Sequence, residues 1–168
     1  MPDLNKTIQR IKQHEGFSSM MYNDPLGYTT IGYGWALERK GITPSQASAI
    51  LSDHVSDAHN DALELLIHYS IDDLSDVRVS IITEMIFQLG LRGTTKFVKF
   101  WEAVCDQEWS QAALEMIDSK WHSQTMGRVR EMAVMFSLDK WEVPLDEISA
   151  IADQMEKVVK LMKTDQGR

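Results

Sequence analysis

Between His14 and Trp35 the chain reads HEGFSSMMYNDPLGYTTIGYGW, a stretch that forces a tight antiparallel hairpin into a sequence otherwise patterned for helices. Asp24 starts a turn, Pro25 presets its second position and Gly27 closes it. Ser18 to Tyr22 leads in, and Tyr28 to Gly34 leads out with the β-branched and aromatic residues that suit strands. Upstream, Leu4, Ile8 and Ile11 recur at helical spacing behind a capping Asp3, and Gly16 suits the left-handed residue that ends many helices. One more step of that stripe reaches Glu15, so the spacing predicts a carboxyl group on the buried face of the helix.

Three polar side chains therefore converge on one hairpin. Eight residues separate Glu15 from Asp24, and five separate Asp24 from Thr30. Desolvation on an apolar face favours the neutral form of a carboxyl group, which fits it to donate a proton; a structural Glu paired with an arginine is the plainer reading, and the two are compatible. An aspartate in an exposed turn stays ionised. Two carboxyls in such different surroundings are what an acid and base pair requires, and the Thr30 hydroxyl can hold a water near Asp24.

The remainder is helical in pattern. Thr43-Pro44-Ser45-Gln46 is a capping box with proline at the first helical position, followed by Ala47, Ile50, Leu51, Val55, Ala58, Ala62 and Leu65 on one stripe. Run to His68, that helix spans about 36 Å, long enough to tether two lobes. Val77, Val79, Ile81, Ile82, Met85, Ile86, Phe87 and Leu89, ended by Gly90, predict a central buried helix. Shorter helices are expected over 95–105, 110–117 and 125–136, with Trp109, Trp121 and Trp141 as core or as the floor of a sugar subsite. Beyond Trp141, the residues Ile148, Ile151, Met155, Val158 and Met162 step by three and four along an amphipathic helix. Docking on its own chain is the expected use of this Ile148–Met162 helix; self-association or pairing with another chain is the alternative.

Charge and composition exclude several classes. The chain has 168 residues, enough for one substantial core, and a formal charge of −8. Residues 42–90 carry 1 basic and 8 acidic side chains, which reads as a solvated face and argues against nucleic acid as the partner. The lone Cys105 permits no internal disulfide and, beside Phe97, Trp101 and Val104, is expected to be an inert core thiol. Histidines at 14, 54, 59, 68 and 122 form no convincing metal site, although His54 with Asp57 or Asp61 weakly permits one, and no cofactor is expected. No apolar run is long enough for stable membrane insertion, and MPDLNKTIQR lacks the apolar core of a signal peptide. A protein made soluble in the cytoplasm is the expectation.

The triad in its frame, EG…Y.D..GY.TIG.G, with MIFQLG at Met85–Gly90 and SKWHSQTMGRVREM at Ser119–Met132, resembles the lysozyme family of T-even bacteriophages and related endolysins. The likeness extends to about Trp141. It implies a mainly α, α+β lysozyme-like fold: a catalytic domain over 1–141, with a small β-hairpin lobe at about 13–42 joined by a long helix to a larger helical lobe at about 69–141, which the N-terminal helix completes. Residues 142–168 are then a C-terminal helical extension.

The resemblance further implies a muramidase that cuts the β-1,4 bond between N-acetylmuramic acid and N-acetylglucosamine in bacterial peptidoglycan. Glu15 would protonate the leaving oxygen, and Asp24 with Thr30 would position and activate water in an inverting displacement. Gly34, Phe87, Phe100 and Glu115 match substrate-binding positions, with Phe100 and Glu115 standing where smaller polar residues are common. Arg128 matches the arginine that supports the catalytic glutamate. Trp35 and His54 replace a histidine and an aspartate that bridge the lobes of relatives, an aromatic contact taking the place of the ion pair. An enzyme of this kind without a leader reaches the wall through a holin-like pore or after host lysis. The competing readings are a non-catalytic wall-binding or partner-binding protein on the same scaffold, which the intact triad disfavours, and a lytic transglycosylase, which commonly needs only one acid.

Overall fold

A computed structural model describes residues 4–165, so the capping role of Asp3 lies outside the described residues. The chain divides into two compact units, Met1–Leu51 and Ser52–Arg168.

The first unit opens with helix α1, Leu4–Glu15, which Gly16 ends at φ 67°, donating its N–H to the Lys12 carbonyl at 3.1 Å. Strands β1 (Ser18–Asn23), β2 (Thr29–Gly32) and β3 (Trp35–Ala36) form an antiparallel sheet in that order. Tyr22 faces Thr30 across the first pair and Thr30 faces Ala36 across the second, with an irregularity between Ser18 and Tyr22. The hairpin expected from the turn residues is present, extended by a third strand too short to leave a pattern. A single turn of helix, α2 (Leu37–Lys40), follows. The capping box then starts α3, Pro44–His68, as expected: the Thr43 N–H donates to Gln46 Oε1 at 2.8 Å, and the Gln46 N–H donates to Thr43 Oγ1 at 3.2 Å. The unit boundary falls inside this 25-residue helix.

Among the described residues, seven helices follow α3 in the second unit: α4 (Asp76–Leu89), α5 (Leu91–Thr94), α6 (Val98–Cys105), α7 (Trp109–Ile117), α8 (Lys120–Gln124), α9 (Met126–Leu138) and α10 (Leu145–Asp165). The apolar run of α4 is buried on several faces through Val77, Ile81, Ile82, Met85 and Ile86, as its pattern requires. Phe100 and Trp101 of α6, Ala112, Ala113 and Met116 of α7, and Val129, Ala133 and Phe136 of α9 close the core around it. Tyr69 stacks on Trp101 with ring centroids 4.6 Å apart, and Phe100 meets both Trp101 and Phe136.

Arg78 interrupts the apolar run of α4 and is nevertheless buried. Its Nε donates to the Phe136 carbonyl at 3.0 Å, Nη1 reaches Asp139 Oδ2 at 3.3 Å, and the guanidinium lies 4.1 Å from the Trp109 ring centre. Ser75, which caps α4, also donates to Asp139. Burial lowers the Arg78 pKa, and the opposing Asp139 charge acts to raise it. One cation thus fastens the start of α4 to the end of α9.

Helix α10 packs on α7 and α9. Its buried seam is Ile148, Ala152, Met155 and Val159, whereas Val158 and Met162 are about 40% exposed. The expected seam is therefore right at Ile148 and Met155, with Ile151 partly buried against the core, and one residue out of register at Val158, where Val159 is buried instead, because both stripes satisfy steps of three and four. Arg130 of α9 binds Glu156 at 2.8 Å and also Asp153, which fixes the rotation of α10 in favour of the observed stripe. Cys105 corrects another expectation: as the last residue of α6 it is exposed, with Sγ 4.0 Å from the Tyr69 carbonyl. Among the described residues no helix is long and apolar enough to cross a membrane.

Candidate active site

Asp24 is held by its own turn. Its carbonyl accepts from the Gly27 N–H at 2.9 Å, closing the four-residue turn, and Gly27 supplies φ 87°. The Asp24 side chain then folds back: Oδ1 accepts from the N–H groups of Leu26 and Tyr28, both at 2.9 Å. Two donors on one oxygen fix the carboxylate rotamer. Asp24 is half-buried rather than exposed.

Thr30 occupies the central strand and is 2% exposed, the only buried side chain among the described residues up to Leu51. Its hydroxyl donates to the Tyr28 carbonyl at 3.0 Å. That same carbonyl accepts from the Asp24 N–H at 3.0 Å, and the Tyr28 N–H is a donor to Asp24 Oδ1. The backbone of Tyr28 therefore connects Asp24 to Thr30, a role invisible in the sequence because it belongs to no particular side chain. With its proton committed, the Thr30 hydroxyl retains lone pairs that can accept from a water.

Glu15 overturns one expectation. It is exposed, and α1 has no buried residue: Leu4, Ile8 and Ile11 are 66, 47 and 50% exposed. Periodicity told which side chains share a face without telling whether that face is covered. Burial consequently does not account for a proton-donating Glu15. What constrains its carboxylate is the turn between β2 and β3, where a β-carbon on Gly34 would stand 2.7 Å from Glu15 Oε2.

Cationic and aromatic side chains pair around this hairpin. Lys12 lies 5.1 Å from the Tyr33 ring centre, Arg39 5.0 Å from Tyr28 and Lys40 4.6 Å from Trp35. The Trp35 indole N–H donates to the Gly41 carbonyl at 2.9 Å, so Trp35 is tied to its own unit.

The remaining sequence-derived site residues belong to the second unit. Phe87 is 43% exposed and borders a cavity of about 280 Å³ with His54, Asp57 and Asp61. Phe100 and Glu115 border a second cavity of about 490 Å³, alongside Lys96, Lys99 and Trp121. Glu115 Oε1 accepts from Gln111 at 2.7 Å. Phe100 has no exposed surface, so it can shape that cavity wall but cannot stack on a sugar. Arg128 stands 4.0 Å from Glu84, both roughly half exposed.

Comparison with known proteins adds an independent line. Residues 12–134 match the family described as phage lysozyme. The probable T4-type lysozyme 1 of Dictyostelium discoideum is 27% identical over 149 residues, covering 70% of this chain and 85% of that protein. The probable T4-type lysozyme 2 of the same organism is 29% identical over 65 residues, which is 39% of this chain and 38% of that protein. The matched span contains the whole hairpin with Glu15, Asp24 and Thr30, and it ends before α10 begins.

Proposed function

The chain belongs to the phage lysozyme family, and from that premise we propose that it is a muramidase cleaving the β-1,4 bond between N-acetylmuramic acid and N-acetylglucosamine in bacterial peptidoglycan. In this reading Glu15 donates a proton to the departing glycosidic oxygen. Water, held by the Thr30 lone pairs, attacks the anomeric carbon from the opposite face of the sugar and gives up a proton to Asp24 as base, as the bond to the departing oxygen breaks. Such a single displacement inverts the anomeric carbon and needs carboxyls about 6.5–9.5 Å apart, with room for the water between them.

The observation that carries the proposal is the Tyr28 backbone, which binds both Asp24 and Thr30 and so presents a base and a water-holding hydroxyl as one rigid pair. The presence of Glu15 beside this pair is what favours hydrolysis over a scaffold used only for binding. Phe87 is proposed to meet the glycan, and bacterial wall lysis is the proposed setting.

The products decide between chemistries. Digestion of purified peptidoglycan should create new reducing ends on N-acetylmuramic acid, initially as the α-anomer by NMR. Initial β-anomer overturns the single displacement; cleavage without new reducing ends overturns hydrolysis in favour of transglycosylation.

A further inference from the structure

We infer that Gly34 is a positioning residue for the proposed acid: the missing β-carbon at this position is what allows the Glu15 carboxylate to rest against the turn between β2 and β3. The inference rests on the reading of Glu15 as proton donor and deepens it.

An exposed glutamate at a helix terminus is ordinarily free to change rotamer. Among the described residues the Glu15 carboxylate forms no hydrogen bond or ion pair that would hold it. Its constraint is steric. A β-carbon on Gly34 would lie 2.7 Å from Oε2, 3.2 Å from Cδ and 3.6 Å from Cγ, so the whole end of the side chain lies over this glycine. The first of these distances is one that real β-carbons do not show, and something must move.

The mobile partner is the tip of a flexible side chain. Moving it costs the fold little, yet that tip is the group proposed to deliver the proton. Beyond the backbone penalty of its positive φ, substitution at 34 should therefore add little cost in stability and be severe for turnover, because misplacement by about 1 Å can cost on the order of 100-fold in rate.

The molecule contains its own control. Gly32, two residues earlier, has φ 67° against 72° for Gly34, and an added β-carbon there meets nothing within 4 Å. Alanine at either site carries a similar backbone penalty. Only alanine at 34 touches Glu15.

The experiment compares Gly32→Ala, Gly34→Ala, Gly34→Asn and Glu15→Gln for thermal melting and for kcat and KM on soluble, uncrosslinked peptidoglycan. Asparagine adds a β-carbon while tolerating positive φ, so it keeps the test valid if the alanine variant is too unstable. The expected result is that both alanine variants melt alike, while position 34 alone loses kcat by roughly 10- to 100-fold with KM within about twofold of wild type. Equal kcat in the Gly32 and Gly34 variants, whether high or low, overturns the role of Gly34. Full activity in Glu15→Gln removes the acid assignment and this role with it, an outcome distinct from an inactive Glu15→Gln beside an unimpaired Gly34→Ala.

Discussion

The hairpin unit and the helical unit hold themselves together by different means. Up to Leu51, only Thr30 is buried among the described residues, and shape comes from backbone bonds, a capping box and glycines at positive φ. From Ser52 onward, large side chains such as Trp101, Phe100 and Phe136 are shut away from water, and Arg78 is buried with its partners. The groups proposed to carry the chemistry sit where packing is thin: Asp24 and Thr30 are set by local hydrogen bonds, and Glu15 rests against Gly34. The lesson is a division of labour: changes in the first unit should register in turnover before stability, and changes in the second should do the reverse.

Truncating the core puts a heavy strain on that contrast. Trp101→Ala removes a 1% exposed side chain stacked on Tyr69, with an indole N–H bonded to the Thr94 carbonyl. A loss of about 3–5 kcal/mol is expected in chemical denaturation. A loss below about 1 kcal/mol would mean that the second unit is not organised by this cluster.

Removing α10, by ending the chain at Trp141, exposes the surfaces of α7 and α9 that receive Ile148, Ala152, Met155 and Val159. About 3–6 kcal/mol is expected after discounting the entropy released by an unanchored helix. Specificity for glycan length should not change, since the family match ends at residue 134. Unchanged melting, with a dimer becoming a monomer in sedimentation, would show that α10 serves a partner instead of its own chain.

Thr30→Val tests the first unit in the opposite sense. The replacement keeps the buried shape and deletes the hydrogen bond to the Tyr28 carbonyl, which should cost about 1 kcal/mol of stability. Turnover should fall by on the order of 100-fold as the water loses its acceptor. A variant that melts several degrees lower yet turns over normally would reverse the proposed division.

The smallest effect is expected at Asp153, whose pKa is lowered chiefly by the hydrogen bond from Arg130. A carboxylate with a depressed folded-state pKa contributes stability that is present above the ordinary aspartate range and lost as pH falls through the folded value. Asp153→Asn should therefore melt slightly below wild type at pH 7, and the two curves should converge in acid, once the pH falls below the folded-state value of Asp153. A gap that persists in acid would assign the effect to something other than this charge.

Local signals explain how much could be read from the sequence. The Asp24–Gly27 turn, the Thr43–Gln46 capping box and the Gly90 stop of α4 each act through their nearest neighbours, and each appears as expected. Strand β3 escaped because two residues leave no alternation to detect. The exposure of Glu15 and Cys105, and the choice between two stripes on α10, depend on what a face packs against, which periodicity does not encode. Arg78 left a trace, a lone cation between Val77 and Val79 in an apolar run, but its partners lie about 60 residues away at Phe136 and Asp139. At the candidate site, the Asp24 turn was legible in the residue types, while the Tyr28 peptide and the contact of Glu15 with Gly34 are products of the folded backbone.

The central claim is that the exposed, lightly held Glu15 carries the chemistry of this chain. It is tested most directly by following turbidity loss of outer-membrane-permeabilised bacteria with wild type and Glu15→Gln at equal concentration, after matching their melting curves. The account predicts superimposable melting and nearly complete loss of lysis, because the amide cannot donate the proton that the leaving oxygen requires. Lysis by Glu15→Gln at close to the wild-type rate would contradict it.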